Sequence, residues 1–293
     1  MFFDTSKNLF IIIYYYYLLN KIKKSLKIYI AKQFSKILLS LFTNSSIKIK
    51  RNNIYWKLDL NEAIDLSIFL FGQFEPSIQK IVKKILSNDL ISTDIIDIGA
   101  NCGSHTLAFA NQFKNNRIFA IEPTQYCYKK LQNNIDLNPK LKKKIITIQA
   151  FLSNEKKLPD EVYSSWELNS KKNKHEEHKG IKKLTTNAQV LSLDEFTDSY
   201  KIKSSLIKCD VDGHELFVFE SGKNYLKKNK PIIVMELAPY LYKENGYKSE
   251  DLFKLIKSYG YNFYNGKTFK PIHSIDEYSA KIRKGSSKNI YLA

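Results

Sequence analysis

Ile95-Ile96-Asp97-Ile98-Gly99-Ala100-Asn101-Cys102-Gly103 is the stretch on which the fold turns. A short apolar run with one acidic interruption ends in two closely spaced glycines. A helical pattern, His105 to Phe113, follows at once. Isoleucines without polar alternation describe a strand buried on both faces, which means a parallel sheet covered by helices. Gly99 permits a tight turn where a side chain would clash, and Gly103 lets the helix begin close to a ligand.

The loop is not a dinucleotide fingerprint, because Asn101 and Ser104 stand where its second and third glycines belong. That absence removes a dehydrogenase. A sulfonium ligand with an amino-acid tail needs no such nest, and Asp97 suits a cationic neighbour while repelling phosphate. Beyond Gly99 the second strand ends at Ile121-Glu122-Pro123. An acidic residue at that place accepts hydrogen bonds from both ribose hydroxyls. Neither signal is specific alone; together, at the ends of adjacent strands, they are.

Working outward, apolar runs recur at Ile118–Ile121, Ile145–Ala150, Leu206–Cys209 and Ile232–Met235, with Tyr261–Tyr264 and Ile290–Leu292 completing a sheet of seven. The expected fold is a doubly wound, mostly parallel α/β sheet, with its ligand at the carboxyl ends of the strands. Asp210-Val211-Asp212-Gly213-His214-Glu215 ends the fourth strand, and Glu236 ends the fifth. Asp210, Asp212, His214 and Glu236 are therefore expected to converge beside the cofactor. His214 has the ordinary pKa best placed for a general base, and a carboxylate can orient it. Asp212 and Glu215 read equally as helix caps. Mg²⁺ on these carboxylates is a third use, not the favoured one, and no metal ligands are assigned.

The chain has 293 residues, a net charge of +18 carried mostly by lysine, and an apolar share of 43%. Lysine excess attracts anionic lipid, glycan or nucleic acid, and equally reflects solvated faces. Cys102, Cys127 and Cys209 form no Cys-x-x-Cys pair and read as buried, reduced thiols of a cytoplasmic protein. Leu9 to Leu19 is apolar but about half the ~20 residues a bilayer span requires. The lysine-rich, bulky stretch after it offers no cleavage site. Ile22, Leu26, Ile30, Phe34, Leu38 and Leu41 then recur at helical spacing among lysines. Such a helix packs on its own domain, or brings residues 8–42 to the inner face of a membrane. Ile47–Lys50 and Ile54–Leu60, separated by Arg51-Asn52-Asn53, read as a β-hairpin. A helix from Pro76 to Leu86 is expected next, with Ile78, Ile81, Val82 and Ile85 on one face. The expected division is an extension over 1–60 and a catalytic domain over 61–293, with residues 155–186 an insertion acting as lid or mobile loop.

In order, Gly72-Gln73-Phe74-Glu75-Pro76, Asp97–Gly103, Ile121-Glu122-Pro123, Leu193-Asp194-Glu195-Phe196, Asp210–Glu215 and Pro231–Glu236 resemble the FkbM family of methyltransferases, from about Tyr55 to the carboxyl terminus. The resemblance implies a class I methyltransferase sheet with an antiparallel last strand. It also implies S-adenosyl-L-methionine as cofactor and methyl transfer to a hydroxyl oxygen of a sugar, glycan or secondary metabolite. On that pattern Asp97, Gly99, Asn101 and Gly103 line the methionine end, Glu122 takes the ribose, and Ser153 and Asn154 lie near the adenine. Glu75 closes over the cofactor. Trp166, in Ser164-Ser165-Trp166, stacks on a sugar face or anchors the insertion. Two other readings stand beside this one: an RNA methyltransferase, and a non-catalytic protein binding membrane or nucleic acid. Against the first, the Asn/Asp-Pro-Pro-aromatic turn of base-amine methylation is absent after the fourth strand. Neither the acceptor nor an oligomeric state is written in the motifs.

Overall fold

The computed structural model describes residues 24–41, 44–86, 93–155, 158–164, 167–169, 175–176 and 180–293. Trp166 and the apolar run Leu9–Leu19 lie outside them. The chain enters through the helix Lys24–Leu41 and then forms a hairpin, β1 (Ser46–Arg51) against β2 (Ile54–Asp59). Arg51 pairs with Ile54, so the turn is the two residues Asn52 and Asn53. Both have positive φ, 50° and 63°, the left-handed pair that a tight hairpin demands and asparagine tolerates. The hairpin rests on the helix Gln125–Asp136 through asparagines. Asn134 accepts from the Lys57 N–H at 2.8 Å and donates to the Cys102 carbonyl at 2.9 Å. Asn138, just past that helix, accepts from the Tyr55 N–H at 2.9 Å.

The main sheet is assembled from β3 (Asp94–Ile98), β4 (Ile118–Ile121) and β5 (Ile145–Ile148). Short ladders follow: β6 (Ala150–Leu152) pairs with β9 (Gln189–Leu191), and β7 (Glu161–Ser164) pairs antiparallel with β8 (Ile181–Leu184). The sheet resumes with β10 (Ser204–Cys209), β11 (Ile232–Leu237), β12 (Phe263–Asn265) and β13 (Lys288–Leu292). Its order is β5-β4-β3-β10-β11-β13-β12. The five consecutive strands from β5 to β11 are parallel, and β13 runs antiparallel to both neighbours. This is the doubly wound, Rossmann-like sheet that the resemblance implied, with the antiparallel final strand in place.

Alternation along each strand feeds two different cores. Ile96, Ile98, Phe119, Ile121, Ile207 and Met235 face one layer, while Ile95, Ile118, Leu206 and Val234 meet Ile78, Ile81, Val82 and Phe109 on the other. Both faces are apolar because helices cover both, which is why these strands read as continuous runs. The helix Pro76–Ile85 presents the face its spacing predicts, with Ile78, Ile81 and Val82 buried.

Two readings need adjustment, the strand Ile145–Ala150 and the stripe of the first helix. Ile145–Ala150 is divided: β5 stays in the sheet, and β6 leaves it to pair with β9. Within the segment 155–186, read as an insertion, β7 and β8 form an antiparallel ladder. On the helix Lys24–Leu41, Ala31, Leu38 and Leu39 pack inward and Ser35 is buried, donating to the Leu60 carbonyl. Phe34, expected on that inward stripe, is exposed. Among the described residues no helix is long and apolar enough to cross a membrane.

The chain order reverses at β3: it runs outward to β4 and β5, then returns to β10 on the other side. A crevice opens between the carboxyl ends of β3 and β10, the usual seat of a ligand in such sheets.

Candidate active site

A cavity of about 340 Å³ occupies that crevice. Its floor is the β3 loop. Gly99 has φ +75°, and a Cβ there would lie 1.8 Å from the Asp210 carbonyl oxygen, so the β3 and β10 loops touch backbone to backbone. Asn101, at φ 49°, donates its N–H to Glu122 Oε2 at 2.9 Å. The other oxygen of Glu122 accepts from the Thr124 N–H at 2.9 Å and its hydroxyl at 2.6 Å. Burial raises the pKa of Glu122, and these donors partly offset the rise. Gly99, Asn101 and Glu122 all line the cavity.

Two residues expected at the methionine end do not. Asp97 is fully buried under the loop, accepting from the Thr106 hydroxyl at 2.6 Å and facing Lys208 Nζ at 3.1 Å. The cation that its position calls for is a lysine of the chain itself. Gly103 is also set back, its φ of +89° and the nearby Leu131 methyl, 2.8 Å from a hypothetical Cβ, accounting for the glycine. Ser153 and Asn154 are likewise not on the wall. Because β6 turns away toward β9, Ala150, Phe151 and Leu152 form that wall, and the Ser153 hydroxyl instead accepts from the Glu155 N–H.

The opposite end is acidic. Asp210, Asp212 and Glu236 each line the cavity, and one oxygen of each falls within 4.8 Å of the others. Three oxygens so placed could hold a small divalent cation. Burial, then Asp210 and Glu215, push the Asp212 carboxyl well above the usual range. Burial, then Asp210 and Glu75, do the same to Glu236, which accepts a hydrogen bond from the Ser287 hydroxyl. Glu75 reaches the cavity from the start of the helix Pro76–Ile85 in a left-handed conformation, φ 43°. Burial and then Asp210 raise it to about 7. Like charges held this close resist joint ionisation.

His214 lines the same end, but among the described residues no carboxylate orients it. Its ring packs edge-on against Phe151 at 5.2 Å, and burial lowers its pKa to about 4. The expected carboxylate–imidazole pair is absent among the described residues: Asp212 and Glu236 face one another and Asp210 instead. Glu215, expected only as a cap, is buried with one oxygen turned toward the Val211 and Gly213 N–H groups.

Sequence reasoning missed Lys208. Burial works against its charge, yet Asp97 and Asp210 outweigh that and hold the ammonium above its ordinary value. Its Nζ also donates to the carbonyls of Gly99, at 2.8 Å, and Ile98, at 3.2 Å. A lysine inside the apolar run Leu206-Ile207-Lys208-Cys209 was the available signal, since lysine is buried almost solely when paired. Tyr163, Ser164 and Tyr240 complete the mouth. The three cysteines are buried and unbridged.

A family model described as "Methyltransferase FkbM domain" matches residues 97–263. No protein of curated function matches the chain. Among solved structures, a methyltransferase FkbM from Methylobacillus flagellatus KT aligns with 69% of this chain at 17% identity and TM-score 0.40. The chain spans less than half of that protein, 44%. The magnesium protoporphyrin IX methyltransferase from Synechocystis PCC 6803, with bound SAM, aligns with 78% of this chain and 83% of its own at 10% identity, TM-score 0.42. Aeropyrum pernix fibrillarin, with natively bound S-adenosyl-L-methionine, aligns with 85% and 82% at 9% identity, TM-score 0.41.

Proposed function

The chain belongs to the FkbM methyltransferase family, and we propose that it uses S-adenosylmethionine to methylate a hydroxyl oxygen of a sugar, glycan or secondary metabolite. The observation that carries this reading is the charge of the cavity. Among the described residues five carboxylates line it (Glu75, Glu122, Asp210, Asp212 and Glu236) against one lysine, Lys208. A cationic cofactor is welcome there, and a phosphate-rich acceptor is not. That contrast disfavours RNA despite the net charge of +18.

S-adenosylmethionine, when bound, supplies an electrophilic methyl on a sulfonium. In this proposal Gly99 and Asn101 hold its methionine side, Glu122 its ribose hydroxyls, and Glu75 and Asp210 its positive charge. Asp212 takes the proton of the acceptor hydroxyl. His214 is the weaker candidate, since burial lowers its proton affinity and its ring packs on Phe151. Among the described residues the Asp212 side chain has no hydrogen-bond donor, while Glu236 is engaged by Ser287. The carboxylate triad serves in this reading without a metal. Beyond positioning and deprotonation the displacement asks little of the protein.

Titration calorimetry with S-adenosylmethionine, S-adenosylhomocysteine and NAD tests the cofactor half. We expect the first two to bind and NAD not to, with Glu122→Ala weakening both by about 10- to 100-fold. A well-folded protein that ignores both sulfur ligands would sink the proposal. Binding in hand, a glycan and polyol screen addresses the acceptor.

A second role is proposed for the helix Lys24–Leu41, on which Tyr29, Phe34 and Ile37 are exposed. Apolar residues flanked by lysines suit the inner face of an anionic membrane. Co-sedimentation with phosphatidylserine vesicles, unchanged in Phe34→Ser/Ile37→Ser, would remove that role.

A further inference from the structure

At about 340 Å³ the cavity stands at the small end of the range that one drug-sized ligand fills. With S-adenosylmethionine inside it, little more than the reacting sugar of an acceptor fits. Any larger acceptor has to continue past the acidic end and over the mouth. A second hollow, of about 350 Å³, lies there, and Tyr240 lines both. Tyr240 belongs to the short helix Pro239–Tyr242, which follows β11 and the Glu236 it carries. A second segment joins the two spaces as well. Ser287, the donor to Glu236, lines the cavity, while Arg283 and Lys284 line the hollow.

The ring of Tyr240 is braced. His175, 6% exposed, lies 6.4 Å from it between ring centroids and packs edge-on against Tyr163, also at the mouth, at 4.8 Å. His175 Nε2 in turn donates to Glu244 Oε2 at 2.6 Å, just beyond the short helix. The hollow itself offers both kinds of polar partner: Glu250 and Asp276 accept hydrogen bonds, Arg283 and Lys284 donate them, and Tyr240 adds a ring. A sugar uses all three, since its hydroxyls donate and accept while its C–H face packs on an aromatic ring. Acids matched by bases also deny the hollow the positive charge that a phosphodiester strand requires.

We propose that the acceptor is an extended glycan. Its reacting sugar sits at the acidic end of the cavity, its next sugar lies in the hollow among Glu250, Asp276 and Arg283, and Tyr240 is the stacking platform between them. This rests on the sugar reading of the site and narrows it. Tyr240 is an acceptor-binding residue here, and His175 and Glu244 are positioning ones.

A length series tests this without any variant. The full chain is given S-adenosylmethionine labelled in its methyl group and a panel of hexoses and N-acetylhexosamines, each as mono-, di- and trisaccharide. For a sugar that takes the label, kcat/KM should rise about tenfold or more from mono- to disaccharide and little beyond, because two sugars fill the two spaces. Tyr240→Ala should cut that step to less than about threefold, chiefly through the KM of the disaccharide, and Tyr240→Phe, which keeps the ring, should retain it. Ala280→Trp fills the hollow from the end of the helix Ile275–Ala280 and should remove the step by a separate route. Binding of S-adenosylhomocysteine shows that each variant is folded. A wild type that methylates mono- and disaccharide equally well would overturn the subsite and leave the sugar reading standing. Label that passes to none of the sugars, whether or not it passes to added total RNA, would overturn both.

Discussion

Around Asp97–Gly103 the carboxylates are matched by the protein: Asp97 accepts from Thr106 and pairs as an ion with Lys208, and Glu122 accepts from Asn101 and Thr124. Around Asp210–Glu236, on the same crevice, acidic groups face one another with few donors between them. The first region is finished on folding. The second stores unfavourable charge proximity that a cation relieves, which is the economy expected of a site where chemistry occurs. A scaffold must be rigid to hold a cofactor, whereas a base must keep free valence.

The largest effect should come from breaking the finished side. A methyl group on Gly99 would sit 1.8 Å from the Asp210 carbonyl oxygen at φ +75°, and backbone cannot yield as a side chain can. Gly99→Ala should therefore cost more than about 4 kcal/mol or give no soluble protein, measured by urea denaturation. Wild-type stability in that variant would show that the two loops separate easily. This side was legible because its signals are local. An isoleucine run, a glycine with positive φ and an acid at the next strand end are each set by a few adjacent residues.

The open side is where reading stopped. Asp210, Asp212 and Glu236 were visible as candidates, but their convergence depends on β10 and β11 lying side by side. The pairing of His214 with a carboxylate failed because the ring turned to Phe151, a residue of β6 more than sixty positions earlier. Lys208 was hidden for the same reason: its partner Asp97 is on another strand. Separating the base candidates sharpens the comparison at the next level of effect. Asp212→Asn should lower kcat about 10²- to 10⁴-fold with the dissociation constant for S-adenosylhomocysteine unchanged. His214→Gln should cost less than about tenfold. The reverse ranking would return the base role to His214 and make the acidic cluster a binding feature only.

The smallest effect is the most direct reading of stored charge. Glu75 is raised to about 7 by burial and Asp210, from an ordinary value of 4.5. The folded state thus holds a proton there that the unfolded chain releases above pH 4.5. Its contribution to stability is full below that pH and is lost as pH rises through about 7. Glu75→Gln cannot ionise, so it should match the wild type near pH 4.5 and exceed it at pH 8. Full linkage over that shift would be ~3 kcal/mol; partial solvent access reduces it to about 1–2 kcal/mol, a few degrees in Tm. His105 and His214, buried neutral with values of about 3 and 4, act in the opposite sense. They destabilise the fold as pH falls below about 6.5, but equally in both proteins, so they cancel in the difference. Adding S-adenosylmethionine should then reverse the order at pH 8, since the wild type regains a cation for its carboxylate and the glutamine variant does not. A Tm difference that is flat with pH would mean that Glu75 is ionised without strain, and the two ends of the cavity would no longer differ in kind.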